Sequence, residues 1–180
     1  MTATEHVILV DESNNPIGIS EKIAAHRQGL CHRAFSVFIF RHHTQLELLL
    51  QQRAGHKYHS PGLWTNTCCS HPSPGEDTVA AGQRRLIEEM GIKASLNEAG
   101  VFHYIAHFAN GLTENEVDHV LIGMLTQENF VTNPDEVSDH RWMTLPDLTE
   151  EMAQYPDRFT PWLKQALEIA ERGLANANLG

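Results

Sequence analysis

Short apolar runs alternate along this chain with helically spaced stretches, and turn residues separate them. Residues 6–10 are apolar and β-branched, residues 11–16 break the run, and residues 17–19 read as the returning strand. Ser20 is expected to cap a short helix over residues 21–26 that Arg27, Gln28 and Gly29 close. Residues 34–40 read as a strand, with residues 46–52 as its antiparallel partner across a polar link at 41–45. Over residues 77–89 the period becomes helical. Val79, Leu86 and Met90 form one stripe, while Arg84 with Glu88 and Arg85 with Glu89 stand four apart on another face, and Gly91 supplies the stop. Strands resume at 101–108 and 117–125 around a polar hairpin at 109–116, and a short one follows at 138–143. Two helices close the chain, the second with Thr160 as cap, Pro161 as first helical residue and Trp162 next. Residues 175–180 read as a frayed tail. The sum is an α+β protein, an α/β/α sandwich in which helices pack on a mixed sheet.

Composition narrows the functional classes. The 180 residues, 41% hydrophobic and 20% charged, suit a single domain with a real core. A net charge of −10 argues against nucleic acid and against anionic membranes as partners. No apolar run reaches the length of a spanning helix and no signal-like start is present, so a cytoplasmic protein is expected. The three cysteines, Cys31, Cys68 and Cys69, are odd in number and two are adjacent. That fits free thiols better than a disulfide framework.

Candidate chemistry centres on residues 66–71, Asn-Thr-Cys-Cys-Ser-His. If this segment is extended, Cys69 and His71 share one face and Cys68 points to the other. Cys69 is expected to be a reactive thiol of lowered pKa, its plainer alternative being a small buried hydrophobe. His26, His32 and His71 are dispersed, while Glu114 and Glu116 alternate and so face one side of an extended chain. Together they could bind Mn²⁺, Mg²⁺ or Zn²⁺ through nitrogen and oxygen, although spacing by itself does not separate such ligands from ordinary histidines.

A denser signal lies in the helix. Glu76, Arg84, Leu86, Glu88-Glu89 and Gly91-Ile92 stand at the spacing of the Nudix box, which the stretch resembles. Ser70 replaces the first glycine of that box, and Arg85 replaces the glutamate that is a principal metal ligand in the hydrolases. The second change weakens water activation and favours diphosphate binding. Taken with residues 32–38, 50–53, 64–72 and 114–116, the chain resembles the type 1 isopentenyl-diphosphate isomerase family over residues 6–162. The resemblance implies a Nudix-like α/β/α sandwich and interconversion of isopentenyl and dimethylallyl diphosphate. It implies Cys69 and Glu116 as catalytic residues, with Tyr104 and Trp162 lining the hydrocarbon pocket. His26, His32, His71, Glu114 and Glu116 would hold one divalent ion (Mn²⁺, Zn²⁺ or Mg²⁺), and Glu89 would help hold a Mg²⁺ that arrives with the substrate. Lys22, Arg53, Lys57 and Arg85 would bind the diphosphate. The expected partner is a small isoprenoid diphosphate, and the protein is expected to be a monomer or weak homodimer.

The chemistry is coherent with that set. An unactivated double bond is moved most simply by protonation to a tertiary carbocation and loss of a proton on the far side, which needs an acid and a base across the substrate. An indole face stabilises the cation without trapping it. Two other classes fit less of the chain: a Nudix pyrophosphohydrolase, which would need a replacement for the missing glutamate, and a metal-storage protein, which leaves Trp162 and Arg85 without a role.

Overall fold

The computed structural model describes residues 4–177. Its spine is β3 (His32–His42), an eleven-residue strand that receives neighbours on both edges. Along one edge β8 (Thr113–Met124) runs parallel from His32↔Glu116 to Phe40↔Met124 without a register shift. Along the other edge come β1 (His6–Val10) at His32, β6 (Cys68–Ser70) at residues 35–37, and β4 (Leu46–Arg53) at residues 40–42. The remaining strands are antiparallel additions: β2 (Pro16–Glu21) on β1, β5 (Trp64–Thr65) and β9 (Val137–Thr144) on β4, and β7 (Asn97–His107) on β8. The sheet is therefore mixed, with one parallel pair at its centre.

Side-chain alternation divides the core in two. Phe35, Val37, Ile39 and Leu121 pack against α2 (Thr78–Met90) through Ala81, Leu86 and Met90. Phe38, Phe40, Val120 and Ile122 pack against α4 (Leu163–Asn176) through Leu163, Ala166 and Ala170. The expected stripe of Val79, Leu86 and Met90 is the buried face of α2, and Gly91 ends that helix at φ 68 with its N–H on Ile87 O. Helices thus cover both faces, the expected α/β/α sandwich.

Several local expectations are corrected. Ser20 does not cap the first helix: β2 runs through Glu21, whose carboxylate caps α1 (Lys22–Gln28) by accepting from the N–H groups of Ile23 and Ala24. Thr160 does not cap the last helix either. That helix starts at Leu163, and the Thr160 hydroxyl pairs with Thr65 Oγ1 at 2.8 Å, a tertiary partner that outcompetes the local one. The hairpin expected at 109–116 is shorter, because β8 begins at Thr113 and takes Glu114 and Glu116 into the ladder opposite Ala106 and Tyr104. Ala175 and Asn176 of the expected tail remain helical, and residues 178–180 lie outside the described ones. The helix before α4 is α3 (Leu145–Gln154), followed by a 3₁₀ turn at Pro156–Arg158.

Strands β3 and β4 pair only near their hairpin and then diverge. Thr67 fills the fork: its hydroxyl donates to Leu49 O at 2.6 Å and accepts from the Ile39 N–H at 2.9 Å, so one side chain replaces two ladder bonds. Thr67→Val keeps the shape and orphans both buried groups. It should lower unfolding free energy by about 1–3 kcal/mol for each orphaned group, read as the shift of the urea midpoint. Thr67→Ser should retain most of the stability, and an unchanged midpoint in the valine variant would refute the bridging role.

Candidate active site

The even-numbered positions of β3 and β8 share the α4 face. Towards their C-terminal ends that face is apolar core, and towards their N-terminal ends it carries His32, Ser36, Glu114, Glu116 and Asp118. On β6, Cys68 is fully buried in the α2-side core, while Cys69 faces the opposite side, as the extended reading expected. Cys69, His71, Glu114, Glu116, Arg53, Trp162, Ser36 and Asp118 all line one pocket of about 30 Å³. That space suits a water molecule, so a five-carbon chain requires its lining side chains to shift.

Asn66 fixes two of these groups. Its Nδ2 donates to Val37 O (3.1 Å) and Cys68 O (2.9 Å), which sets the amide's orientation. Its Oδ1 then accepts from the Thr65 hydroxyl (2.8 Å), the Cys69 thiol (3.1 Å) and the Trp162 indole N–H (3.2 Å). The expected lowering of the Cys69 pKa is not found. Burial, helped by the Asp118 carboxylate, pushes it up to about 12, so the group is a thiol at neutral pH. Asp118 itself is raised well above the carboxylate range, by burial and then by Glu116, and it accepts from the Ser36 hydroxyl at 2.8 Å. Tyr104 does not line the pocket but backs Trp162 at 6.1 Å between ring centroids, with its hydroxyl buried and unpartnered.

His26, His32, His71 and Glu116 each offer a donor atom within 4.8 Å of the others. His26 Nδ1 donates to Lys22 O (2.7 Å) and His32 Nδ1 to Leu30 O (2.8 Å), which turns both Nε2 atoms inward, that of His32 to 3.3 Å from Glu116 Oε1. Those two atoms and Glu114 Oε2 are buried with no hydrogen-bond partner. Burial and the neighbouring His71 hold the His26 pKa down at about 3, so its imidazole is neutral. Unpartnered nitrogens and a carboxylate oxygen converging in the interior form a nitrogen–oxygen donor set that fits a divalent cation. Glu114 stands slightly apart, paired through Oε1 with His59 Nε2 at 2.7 Å. Glu89 lies outside this cluster: buried on α2, it pairs with Arg85 (2.7 Å) and accepts from Gln51 (3.0 Å).

The four expected diphosphate contacts surround the same end of the sheet. Lys22 and Arg85 line a groove of about 330 Å³ that meets the inner pocket at Ser70 and His71, whereas Arg53 lines the inner pocket itself. Lys57 is paired with Glu136, and its pKa is lowered by burial despite Glu89, with Arg53, Arg85 and Lys22 adding like-charge repulsion. Such crowding of cations, with Lys22, Lys57 and Arg85 each paired to a carboxylate, is chemistry that suits an anion. Sequence reasoning missed His59, Ser36, Asp118 and the hub role of Asn66. Asp118 extends the Glu114–Glu116 alternation and Ser36 interrupts an apolar strand, so both left a signal, whereas His59 comes from an irregular loop and left none.

Comparisons with known proteins converge on one family. The NUDIX domain model matches residues 31–163. The isopentenyl-diphosphate Delta-isomerase of Photobacterium profundum is 48% identical over 98% of this chain and 99% of its own. The enzyme of that name from Pectobacterium atrosepticum is 48% identical over 91% and 89%. A solved structure from Deinococcus radiodurans superposes with a TM-score of 0.76 at 19% identity, covering 93% of this chain and 100% of that one, which establishes the fold alone. Near-half identity along almost the whole length, around a NUDIX match, makes this chain a member of the isopentenyl-diphosphate Delta-isomerase family.

Proposed function

We propose that the chain isomerises isopentenyl diphosphate to dimethylallyl diphosphate with Cys69 and Glu116 as its acid–base pair. The observation that carries this is their convergence, from different strands, on one pocket that also holds an indole and adjoins a cationic groove. One group delivers a proton to the terminal methylene carbon, giving a tertiary cation. The other removes a proton from the methylene on the far side of the cationic carbon, so the double bond moves with no net change in protons. Trp162 faces the cation with its π-system, held edge-on by Asn66. Tyr58 and Trp162, which line the pocket, keep bulk water from it.

Lys22, Lys57 and Arg85 take the diphosphate at the mouth and Arg53 from the inner pocket, and Glu89, whose oxygens here meet Arg85 and Gln51, would hold the Mg²⁺ that accompanies it. His26, His32, His71, Glu114 and Glu116 would hold a second divalent ion, Mn²⁺, Zn²⁺ or Mg²⁺. That ion, when bound, supplies the positive charge that steadies two buried carboxylates. The enzyme works as one cytoplasmic domain, monomeric or weakly dimeric, and its net charge of −10 gives no support to nucleic-acid or membrane partners. Among the described residues no helix is long and apolar enough to cross a membrane.

Incubation with isopentenyl diphosphate in deuterated water should yield dimethylallyl diphosphate carrying deuterium in its new methyl group, read by NMR. Release of phosphate instead would indicate a hydrolase. Cys69→Ala should lower kcat by about 10²–10⁴-fold, the usual worth of a positioned proton donor or acceptor. Cys68→Ala should keep kcat and lose stability, because Cys68 packs under α2. Equal kcat losses would remove the distinction between the two thiols. Trp162→Phe should cut kcat by up to about thirtyfold while substrate binding changes less, since a cation–π contact in a desolvated site is worth up to about 2 kcal/mol. Normal turnover in that variant would leave the indole as packing alone.

A further inference from the structure

We propose that His59 is a positioning residue of the divalent-metal centre, holding Glu114 by one carboxylate oxygen so that the other turns to the ion. The inference rests on the reading of the histidine–carboxylate cluster as that centre. His59 and Glu114 meet at 2.7 Å between Nε2 and Oε1, with side chains only 3% and 4% exposed. Glu114 Oε2, by contrast, is buried and has no hydrogen-bond partner. His26, whose Nε2 is equally unpartnered, offers an atom within 4.8 Å of those of both His59 and Glu114, so this pair adjoins the main cluster rather than forming a separate one. An imidazole nitrogen bonded to Oε1 cannot also ligate, so His59 acts through Glu114.

The position of His59 is fixed by packing rather than by regular structure. Its ring stacks on Phe108 (5.0 Å between centroids, 12°), meets Tyr58 edge-on (4.4 Å, 85°) and stands perpendicular to Trp162 (5.8 Å, 83°). With the His26 ring also stacked on it at 5.9 Å, the imidazole is held with Nε2 at 2.7 Å from the carboxylate. A ligating carboxylate whose free oxygen is anchored presents the other in a fixed direction, and loss of such anchors typically weakens metal binding tenfold to a hundredfold. The same ring touches the Trp162 side of the pocket, so one loop residue braces both the metal centre and the aromatic wall.

His59→Phe keeps the stacking and removes the N–H, whereas His59→Gln returns an N–H donor close to the position of Nε2. With Mn²⁺ and with Zn²⁺ as probes, and affinity read by competition against a chromophoric chelator, His59→Phe should bind about 10–100-fold more weakly than the wild type. His59→Gln should recover most of that loss. Combining His59→Phe with Glu114→Gln should weaken binding no further than Glu114→Gln alone. His71→Ala serves as the reference variant. If it loses the ion while His59→Phe binds like the wild type, the role of His59 is overturned and the centre stands. If His59→Gln is as weak as His59→Phe, the ring's fit rather than its N–H matters, and the proposal is likewise overturned. If His71→Ala also binds normally, the centre itself is refuted and the role of His59 falls with it.

Discussion

The unshifted parallel pairing of β3 with β8 is the constraint on which the rest depends. It runs through nine consecutive residue pairs, and side chains alternate strictly along both strands. A single face therefore carries Phe38, Phe40, Val120 and Ile122 at one end and His32, Ser36, Glu114, Glu116 and Asp118 at the other. A slip of one residue would turn every one of these to the opposite side. The apolar end cannot tolerate that slip, because it packs under α4. Its burial therefore fixes where the carboxylates and His32 point, and stability and chemistry are enforced by one register.

The segment from Thr65 to Ser70 solves a second problem with the same residues. Where β4 leaves β3, backbone groups would be left unpaired in the interior, a cost of about 1–3 kcal/mol each. Thr67 and Gln51 close part of the gap from the side, with Gln51 Nε2 donating both to Thr67 O and to Glu89. Asn66 closes more of it through two carbonyls and spends its oxygen on Thr65, Cys69 and Trp162. The thiol and the indole are thus tied to the seam of the sheet rather than to a loop. A side chain lacking either the two donors or the acceptor of an amide could not join both functions.

The parts of this molecule that sequence exposed are those governed by short-range periodicity. The α2 stripe, its Gly91 stop and the opposite facing of Cys68 and Cys69 are consequences of 3.6- and 2-residue repeats. The failures share one cause, a distant partner. Thr160 has the look of a cap but bonds Thr65, and Glu21 rather than Ser20 caps α1 because pairing with β1 keeps Ser20 extended. The Cys69 pKa depends on burial and on Asp118, neither visible from residues 66–71. Of the residues implied by the family resemblance, Arg53, Cys69, His71, Glu114, Glu116 and Trp162 line the inner pocket, whereas Tyr104 and Glu89 stand outside it. His59 was invisible because no period governs the loop that brings it to Glu114.

Arg85 changes the charge of the helix at the position where the Nudix box has a glutamate. The corresponding glutamate in a hydrolase would add a carboxylate beside Glu88 and Glu89 and so favour a metal-activated water. Here a guanidinium sits there instead, bonded to Glu88 (2.6 Å) and Glu89 (2.7 Å) and close to Glu136 (3.3 Å). On the proposed mechanism this is an advantage rather than a loss. Arg85 is partly exposed at the groove and already holds its carboxylates, so it adds charge for the diphosphate without organising a nucleophile. A carbocation formed in the inner pocket would be trapped by any such nucleophile. On that mechanism the helix presents a cation to the diphosphate at position 85 in place of a carboxylate that would organise water.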